Sequence, residues 1–220
     1  MITWLFGSSS NWSQNLSQSL EGDVIEFGRS STIQTDYEPS TIKDYIENNI
    51  ADLETPNRII FNINTGVPQE LPNPIHNFDH IESFSIFNKW WEDNRNQLFF
   101  KNYLVQYLAE ELKGTEHQIC YITSQISADH ITESGNVYDL QMYKQLRALD
   151  YEIIWNQRAR GLNAFGICPA ANTRPMDWSS FIAHKLQTED LGKEHWLYGV
   201  SEPDHGLDLV RWGDWKVTLL

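Results

Sequence analysis

The chain has 220 residues, enough for one α/β domain with a full hydrophobic core, and we predict a single domain spanning residues 1–220. Its 30 Asp and Glu residues outnumber its 16 Lys and Arg residues and give a formal net charge of −14, which argues against a basic surface that binds nucleic acid. The first residues lack the basic and apolar regions of a signal peptide, and no run of about 18 apolar residues occurs. We therefore expect a soluble protein without a membrane span.

Strand-like and helical segments alternate along the chain. Helical spacing of apolar residues begins near Asn11, near Ser40, which we predict as an N-cap, near Trp90 and near Val137, with a shorter helix after Trp178. This alternation predicts an α/β fold with a doubly wound parallel sheet and helices on both faces. The apolar, strand-like runs are Ile2 to Phe6, Asp23 to Phe27, Arg58 to Ile63, Gln118 to Thr123, Leu162 to Cys168 and Trp196 to Val200.

A turn of small residues follows the first strand. Gly7 can turn the chain sharply, and Ser8, Ser9 and Ser10 leave the backbone N–H groups and the start of the next helix open to a pyrophosphate. Residues 7 to 13 are therefore a candidate cradle for the phosphates of a dinucleotide. A typical fingerprint has three glycines here and this chain has one, so the motif alone has low specificity.

The two cysteines indicate a reducing compartment. Cys120 and Cys168 both lie in apolar, strand-like runs, where a cysteine is more often a buried thiol than half of a disulfide. This usage fits the cytoplasm. The histidines that lie near acidic residues lack the compact ligand spacing of a structural zinc site, so we predict no metal site.

Taken in order, the landmarks from Thr3 to about Met176 resemble the short-chain dehydrogenase/reductase family, whose single-domain Rossmann fold moves hydride between a nicotinamide cofactor and a carbonyl or alcohol. Asn11 and Ser13 stand where the family's glycine-rich turn has glycines. The resemblance implies a variable, substrate-side segment at residues 177–220. It also implies that the cofactor contacts Gly7, Ser9, Ser10, Asn11 and Trp12.

The second strand ends where members of that family select the adenosine ribose. No acidic residue caps this strand end, and Arg29 with Ser30 could receive a 2′-phosphate, so NADP is favoured and NAD is possible. An ordinary surface arginine is the alternative interpretation of Arg29. The resemblance also places Asp36, after a short third strand, near the adenine.

Further segments resemble the family's cofactor and proton-relay sites. Asn64-Thr65-Gly66 is similar to the family's Asn-Asn-Ala-Gly strand end, and Pro169 and Thr173 match the turn that meets the nicotinamide amide. The helix-borne Asn that supports a relay water in the family corresponds to Gln97 by its spacing from the preceding tryptophan, or to Asn96 by residue type.

The catalytic set follows from the same resemblance. Ser124 matches the serine that orients the substrate carbonyl, and Tyr138, 14 residues further on, matches the tyrosine that acts as acid or base. The family's lysine should come four residues after the tyrosine, but Met142 stands there and the first lysine is Lys144. In a straight helix Lys144 is turned roughly 120° away from Tyr138. Either the helix begins after Tyr138, and Lys144 binds the ribose and assists the tyrosine, or the relay is broken.

The leading hypothesis is an NADP-preferring oxidoreductase that acts on an unidentified carbonyl or alcohol. We expect a homodimer or homotetramer built from the helices at residues 90–113 and 137–160, as in the resembled family. The main alternative is a catalytically impaired protein of the same fold that binds a nucleotide or a protein partner. A third possibility is carbohydrate recognition by the tryptophan-rich C-terminal part.

Overall fold

The computed structural model describes residues 1–8, 11–31, 33–34, 41–63, 81–122, 137–169, 175–193, 195–200 and 209–211. Within these ranges strands and helices alternate along the chain. The strands are β1 Ile2–Phe6, β2 Asp23–Phe27, β3 Arg58–Phe61, β4 Gln118–Ile122, β5 Ala164–Pro169, β6 Leu197–Val200 and β7 Leu209–Arg211. The helices are α1 Asn11–Ser19, α2 Ile42–Asn49, α3 Ile81–Leu112, α4 Val137–Ala159 and α5 Pro175–Thr188.

The strands form one sheet in the order β2-β1-β3-β4-β5-β6-β7. All six predicted strands are present and pair in parallel, which confirms the predicted α/β architecture. The seventh strand was not predicted, because its three residues are too few to show an alternating pattern. It pairs antiparallel with β6, with Tyr198 opposite Arg211.

Apolar layers cover both faces of the sheet. The cores of β1, β3 and β4 are buried throughout because helices cover both of their faces. One layer packs under α2, α3 and α4 and includes Trp4, Phe6, Phe61, Phe100 and Tyr121. The other packs under α1 and α5 and includes Leu5, Leu16, Ile60, Ile182 and the thiol of Cys120, which is buried as predicted.

Three helix boundaries differ from the predictions. Helix α3 begins at Ile81 and not near Trp90. Its first turns were not predicted because they carry Ser, Phe and Ile residues, which have weak helical preference. The N-cap of α2 is Thr41 and not Ser40. Helix α5 begins at Pro175 and not after Trp178, since proline suits the first position of a helix.

Among the described residues, the third strand expected before Asp36 appears as a parallel bridge between Phe27 and Ile33. Strand β2 therefore stands at the edge of the sheet in the described structure. Asp36 itself lies outside the described residues, and its role near an adenine stays a prediction.

Candidate active site at the carboxyl edge of the sheet

The strand order places a topological switch point between β1 and β3. From β1 the chain moves to β2 on one side, and later to β3 on the other, so the direction of winding reverses at β1. Ligands of open α/β sheets bind outside the carboxyl ends of the strands at such a switch point. Gly7 follows β1 here, and Asn62 follows β3.

Gly7 makes the turn that follows β1 at this switch point. Its φ is +85°, a left-handed conformation that favours glycine, and a Cβ built on it would lie 2.2 Å from the Asn62 carbonyl oxygen. The Gly7 N–H donates to the Phe27 carbonyl at 2.8 Å, and the Ser8 N–H donates to the same oxygen at 3.2 Å. The turn is therefore fixed against the ends of both β2 and β3.

Ser13 stands where the resembled family has a glycine, and its hydroxyl is accommodated inside the protein. Ser13 is fully buried, its Oγ donates to the Gly7 carbonyl at 2.8 Å, and it accepts a bond from Asn62 Nδ2 at 2.6 Å. Asn62 also donates its backbone N–H to the Phe6 carbonyl at 3.0 Å. The serine thus bonds to the back of the turn, a partnership that the sequence analysis missed because Asn62 looked like an ordinary strand end.

The helix that follows the turn begins at Asn11. A helix after a parallel strand starts at the carboxyl edge, so the positive end of the α1 dipole lies there, where anions bind favourably. Trp12 is half-buried and packs against the apolar layer under α1 and α5. Its predicted contact with the cofactor stays a prediction, as does that of Asn11.

The loop after β2 joins the same region. Gly28 donates its N–H to the Ile33 carbonyl at 3.1 Å, and the Ser31 hydroxyl contacts the Ser8 hydroxyl of the first turn. Arg29 and Ser30 are exposed, and Arg29 forms no ion pair with another described residue. The turn at Gly7 and Ser8, predicted to bind phosphate, is therefore in direct contact with the loop at residues 28–31, predicted to bind the adenosine ribose.

Gln97 and Asn96, the two relay candidates on α3, differ in burial. Gln97 is buried, with 4% of its surface exposed, and Asn96 is half-buried. Pro169 is the last residue of β5. Several predicted site residues lie outside the described residues, and their roles stay predictions: Ser9, Ser10, Asn64, Thr65, Gly66, Ser124 and Thr173.

Tyr138 and Lys144 both lie within α4, which begins at Val137. The interpretation in which the helix begins after Tyr138 is therefore wrong. Six positions of an α-helix correspond to a rotation of about 600°, which leaves the two residues roughly 120° apart around the helix axis. Met142 occupies the position one turn after Tyr138.

A buried charged cluster beneath this region was missed by the sequence analysis. Lys101 Nζ on α3 lies 3.0 Å from Asp150 Oδ1 on α4, and each side chain is 2% exposed. The ammonium lies 5.8 Å from the centre of the Tyr121 ring, whose hydroxyl accepts a bond from Gln157 Nε2 at 2.6 Å. Burial raises the pKa of Asp150, an effect that the charge of Lys101 opposes. A lysine and an aspartate within two apolar helical stripes were the available signal.

The opposite, amino-terminal edge of the sheet carries a cleft of about 1170 Å³. Its polar side chains are bonded to the fold. His117 Nε2 accepts the Asn163 N–H at 3.0 Å, so its Nδ1 carries the proton and bonds to the Thr115 carbonyl at 3.1 Å. Burial lowers the pKa of His117. Arg158 donates to two backbone carbonyls.

No protein-family model matches the chain, and no curated protein matches it in sequence. Solved structures do match it. A 3-oxoacyl-(acyl-carrier protein) reductase from Brucella melitensis in complex with NAD is 14% identical with a TM-score of 0.65, over 83% of this chain and 88% of that chain. A short-chain dehydrogenase from Rhodopseudomonas palustris is 12% identical with a TM-score of 0.64, over 91% and 98% of the two chains. Serine dehydrogenase from Escherichia coli is 15% identical with a TM-score of 0.61, over 84% and 93%.

The chain therefore has the fold of the short-chain dehydrogenases/reductases, a Rossmann fold, as the sequence resemblance predicted. At these identities the likeness establishes the fold, and function has to be argued from the site. None of the helices within the described ranges is long and apolar enough to cross a bilayer.

Proposed function

We propose that this protein is a divergent short-chain oxidoreductase that transfers hydride between a nicotinamide dinucleotide and a carbonyl or alcohol substrate. The observation that carries the proposal is the glycine turn at the switch point, where Gly7 is bonded to Phe27 and backed by Asn62 and Ser13. This location supports a pyrophosphate site, since a glycine turn leads there into the start of a helix at the carboxyl edge of the sheet.

The residues at this edge suit a dinucleotide. The hydroxyl of Ser13 bonds to the Gly7 carbonyl, so the departure from glycine does not place a polar group against the phosphates. We place the pyrophosphate against Gly7, Ser9, Ser10 and the start of α1. We assign Asn64, Thr65, Gly66, Pro169 and Thr173 to the nicotinamide half of the proposed cofactor site.

NADP is the proposed form of the cofactor. Arg29 is exposed, is unpaired among the described residues and lies in a loop that contacts the phosphate turn through Ser31 and Ser8. A guanidinium suits a phosphate better than an uncharged ribose, because it adds charge-assisted hydrogen bonds. Ser30 and Asp36 complete the proposed adenosine site.

The chemistry is assigned to four residues. The nicotinamide supplies or accepts the hydride when the cofactor is bound. Ser124 orients the substrate carbonyl, and Tyr138 donates a proton to its oxygen as the hydride reaches its carbon. Lys144 is assigned to the ribose; because it stands roughly 120° from Tyr138 around the axis of α4, the close pairing of lysine and tyrosine found in the family is not part of this assignment. Gln97, which α3 directs into the interior, supports the relay water.

One observation favours the second candidate, a catalytically impaired protein of the same fold that binds a nucleotide or a protein partner. Tyr138 and Lys144 occupy the same helix at a spacing that turns them roughly 120° apart, and Met142 stands at the position one turn on. The two candidates differ on turnover, and only the first requires a nicotinamide dinucleotide.

Assembly through α3 and α4 is part of the proposal. Large aromatic side chains are exposed on these two helices, and exposed apolar patches of this kind mark interaction sites. A homodimer or homotetramer would cover them. They are Phe99 at 56% exposure, Tyr103 at 44% and Tyr107 at 45% on α3, and Trp155 at 61% on α4. The buried thiol of Cys120 suits the reducing cytoplasm.

Titration of the purified protein with NADPH and NADH, followed by tryptophan fluorescence, tests the cofactor assignment. We expect saturable quenching, with NADPH binding more tightly in the parent protein and this preference lost in Arg29→Ala. A panel of aldehydes and ketones then tests turnover, which Tyr138→Phe should abolish without changing NADPH affinity. Binding without turnover across the panel would favour the impaired protein, and no binding at millimolar NADPH or NADH would contradict the oxidoreductase and the nucleotide-binding form of the second candidate.

A further inference from the structure

Lys101 and Asp150 join the two helices that carry the proposed proton relay. Lys101 lies on α3 and Asp150 on α4, their charged atoms are 3.0 Å apart, and both side chains are almost fully buried. Burying two charges costs several kcal/mol per ion, and apolar residues of similar size at such positions often stabilise a protein more. Stability alone therefore does not account for the pair. The best-attested use of a buried polar pair is to fix the register of packed helices.

The apolar contacts around the pair do not by themselves fix the register of α3 against α4, so a directional interaction such as an ion pair is needed. The layer around the pair is apolar and aromatic, with Phe100, Leu104 and Ile154 among its buried members. Apolar side chains can repack against one another with limited loss of stability, so they specify the register of two helices less strictly than a buried charged pair does. A shift of one turn, about 5.4 Å, would instead separate Lys101 from Asp150 and leave both charges buried and unpaired.

The groups packed around the pair support this arrangement. Tyr121 on β4 places its ring 5.8 Å from the Lys101 ammonium, and Gln157, two turns after Asp150 on α4, bonds to the Tyr121 hydroxyl at 2.6 Å. The cluster thereby connects α3, α4 and the central strand β4. Because the pair is neutral overall, its effect on the site above is geometric.

Along both helices, the Lys101–Asp150 pair lies further from the carboxyl edge of the sheet than the proposed relay residues do. Both α3 and α4 connect parallel strands, so both begin at the carboxyl edge and run in the same direction. Gln97 lies one turn before Lys101 on the same face of α3, about 6 Å nearer that edge. Lys144 lies six residues before Asp150 on α4, about 9 Å nearer the edge. The pairing of Lys101 with Asp150 therefore fixes the positions of Gln97 and Lys144 relative to each other along the two helix axes.

We infer that Lys101 and Asp150 are positioning residues whose ion pair holds α3 and α4 in the register that the ribose and relay site needs. This inference rests on the proposed function, in which Lys144 contacts the ribose.

The test separates stability from positioning with four variants. Lys101→Met and Asp150→Leu each break the pair, and the double variant Lys101→Met/Asp150→Leu replaces it by apolar residues. Leu104→Ala is a matched control that weakens the same helix packing but leaves both Lys101 and Asp150 in place. For each protein we would measure the urea midpoint of unfolding, the NADPH dissociation constant and, without cofactor, the hydrogen exchange of residues 88–100 and 141–149.

We expect the double variant to regain the parent's urea midpoint while its NADPH dissociation constant stays about tenfold higher, the size expected for a weakened charge-assisted hydrogen bond. Exchange in both segments should stay faster than in the parent. Leu104→Ala should lower the midpoint and leave NADPH affinity unchanged where it is folded. A double variant that binds NADPH like the parent, or a control that loses as much affinity as Lys101→Met, would overturn the inference. If the parent itself binds no dinucleotide, the proposed function fails, and hydrogen exchange alone decides the positioning role.

Discussion

Asn62 donates a hydrogen bond from its amide to the buried hydroxyl of Ser13 at 2.6 Å, and so joins the end of β3 to the first turn of α1 behind the glycine turn. Ser13 in turn donates to the Gly7 carbonyl at 2.8 Å. We expect these two side chains to act as a unit. Ser13→Ala and Asn62→Val should each cost about 1 kcal/mol, and the double variant should cost clearly less than their sum.

Urea unfolding of the four proteins in this cycle gives the coupling energy. Ser17→Ala, in the same helix, is the control and should lie near the parent because alanine favours helices. Strict additivity of the two substitutions would show that the hydrogen bond has no energetic role.

Gly7→Ala should destabilise the protein by about 3 kcal/mol or more, since it combines a left-handed backbone with a steric clash. A Cβ at Gly7 would lie 2.2 Å from the Asn62 carbonyl oxygen. Gly114→Ala is the matched control, because Gly114 has φ +79° but nothing within 4 Å of its Cβ position. The control should cost only about 1 kcal/mol, the cost of the left-handed conformation alone. Equal losses in urea unfolding would contradict the close approach at Gly7.

Protein stability should fall as the pH falls below about 6.5, the ordinary pKa of histidine. Burial lowers the pKa of His117 in the folded protein, and its Nε2 accepts the Asn163 N–H at 3.0 Å, so the folded state resists protonation there while the unfolded state does not. The contribution is fully present above the unfolded pKa and is lost as the pH falls from that value toward the lowered folded one. His117→Gln keeps an acceptor but cannot titrate.

Urea unfolding of both proteins between pH 7.5 and 5, a range of about one unit or more on each side of histidine's ordinary pKa, measures the effect. The parent curve should slope more steeply than that of His117→Gln. Parallel curves would mean that His117 contributes nothing to the pH dependence.

A charged residue in the exposed aromatic surface of α3 and α4 should dissociate the proposed oligomer. Trp155 is 61% exposed and Phe99 is 56% exposed, and Trp155→Glu or Phe99→Glu would place an unpaired charge in a buried interface. Sedimentation velocity should show a dimer or tetramer for the parent and a monomer for either variant. Gln14→Glu on α1 is the control and should sediment like the parent. A monomeric parent would remove the assembly from the proposal.

The sheet could be predicted from the sequence because its signals are local. Runs such as Ile2 to Phe6 and Gln118 to Ile122 are continuous and apolar, as expected for strands with helices on both faces. Gly7 was recognised for the same reason, since a glycine that ends a strand and precedes a helix is a local pattern.

The side-chain partnerships could not be predicted. Asn62 bonds to a residue 49 positions away, and Lys101 pairs with a residue 49 positions away, so each depends on how separate elements pack. A third strand was also predicted after β2, where the described residues show a parallel bridge between Phe27 and Ile33. Such pairings depend on tertiary context more than on local preference.

The central claim is that a dinucleotide lies at the carboxyl edge of the sheet, against the turn at Gly7. Crystals of the protein soaked in millimolar NADPH test it most directly by difference density. We predict density for the pyrophosphate between Gly7 and the first turn of α1, with the 2′-phosphate beside Arg29. Crystals whose carboxyl edge stays free of dinucleotide density, although lattice contacts leave that edge open, would contradict the claim.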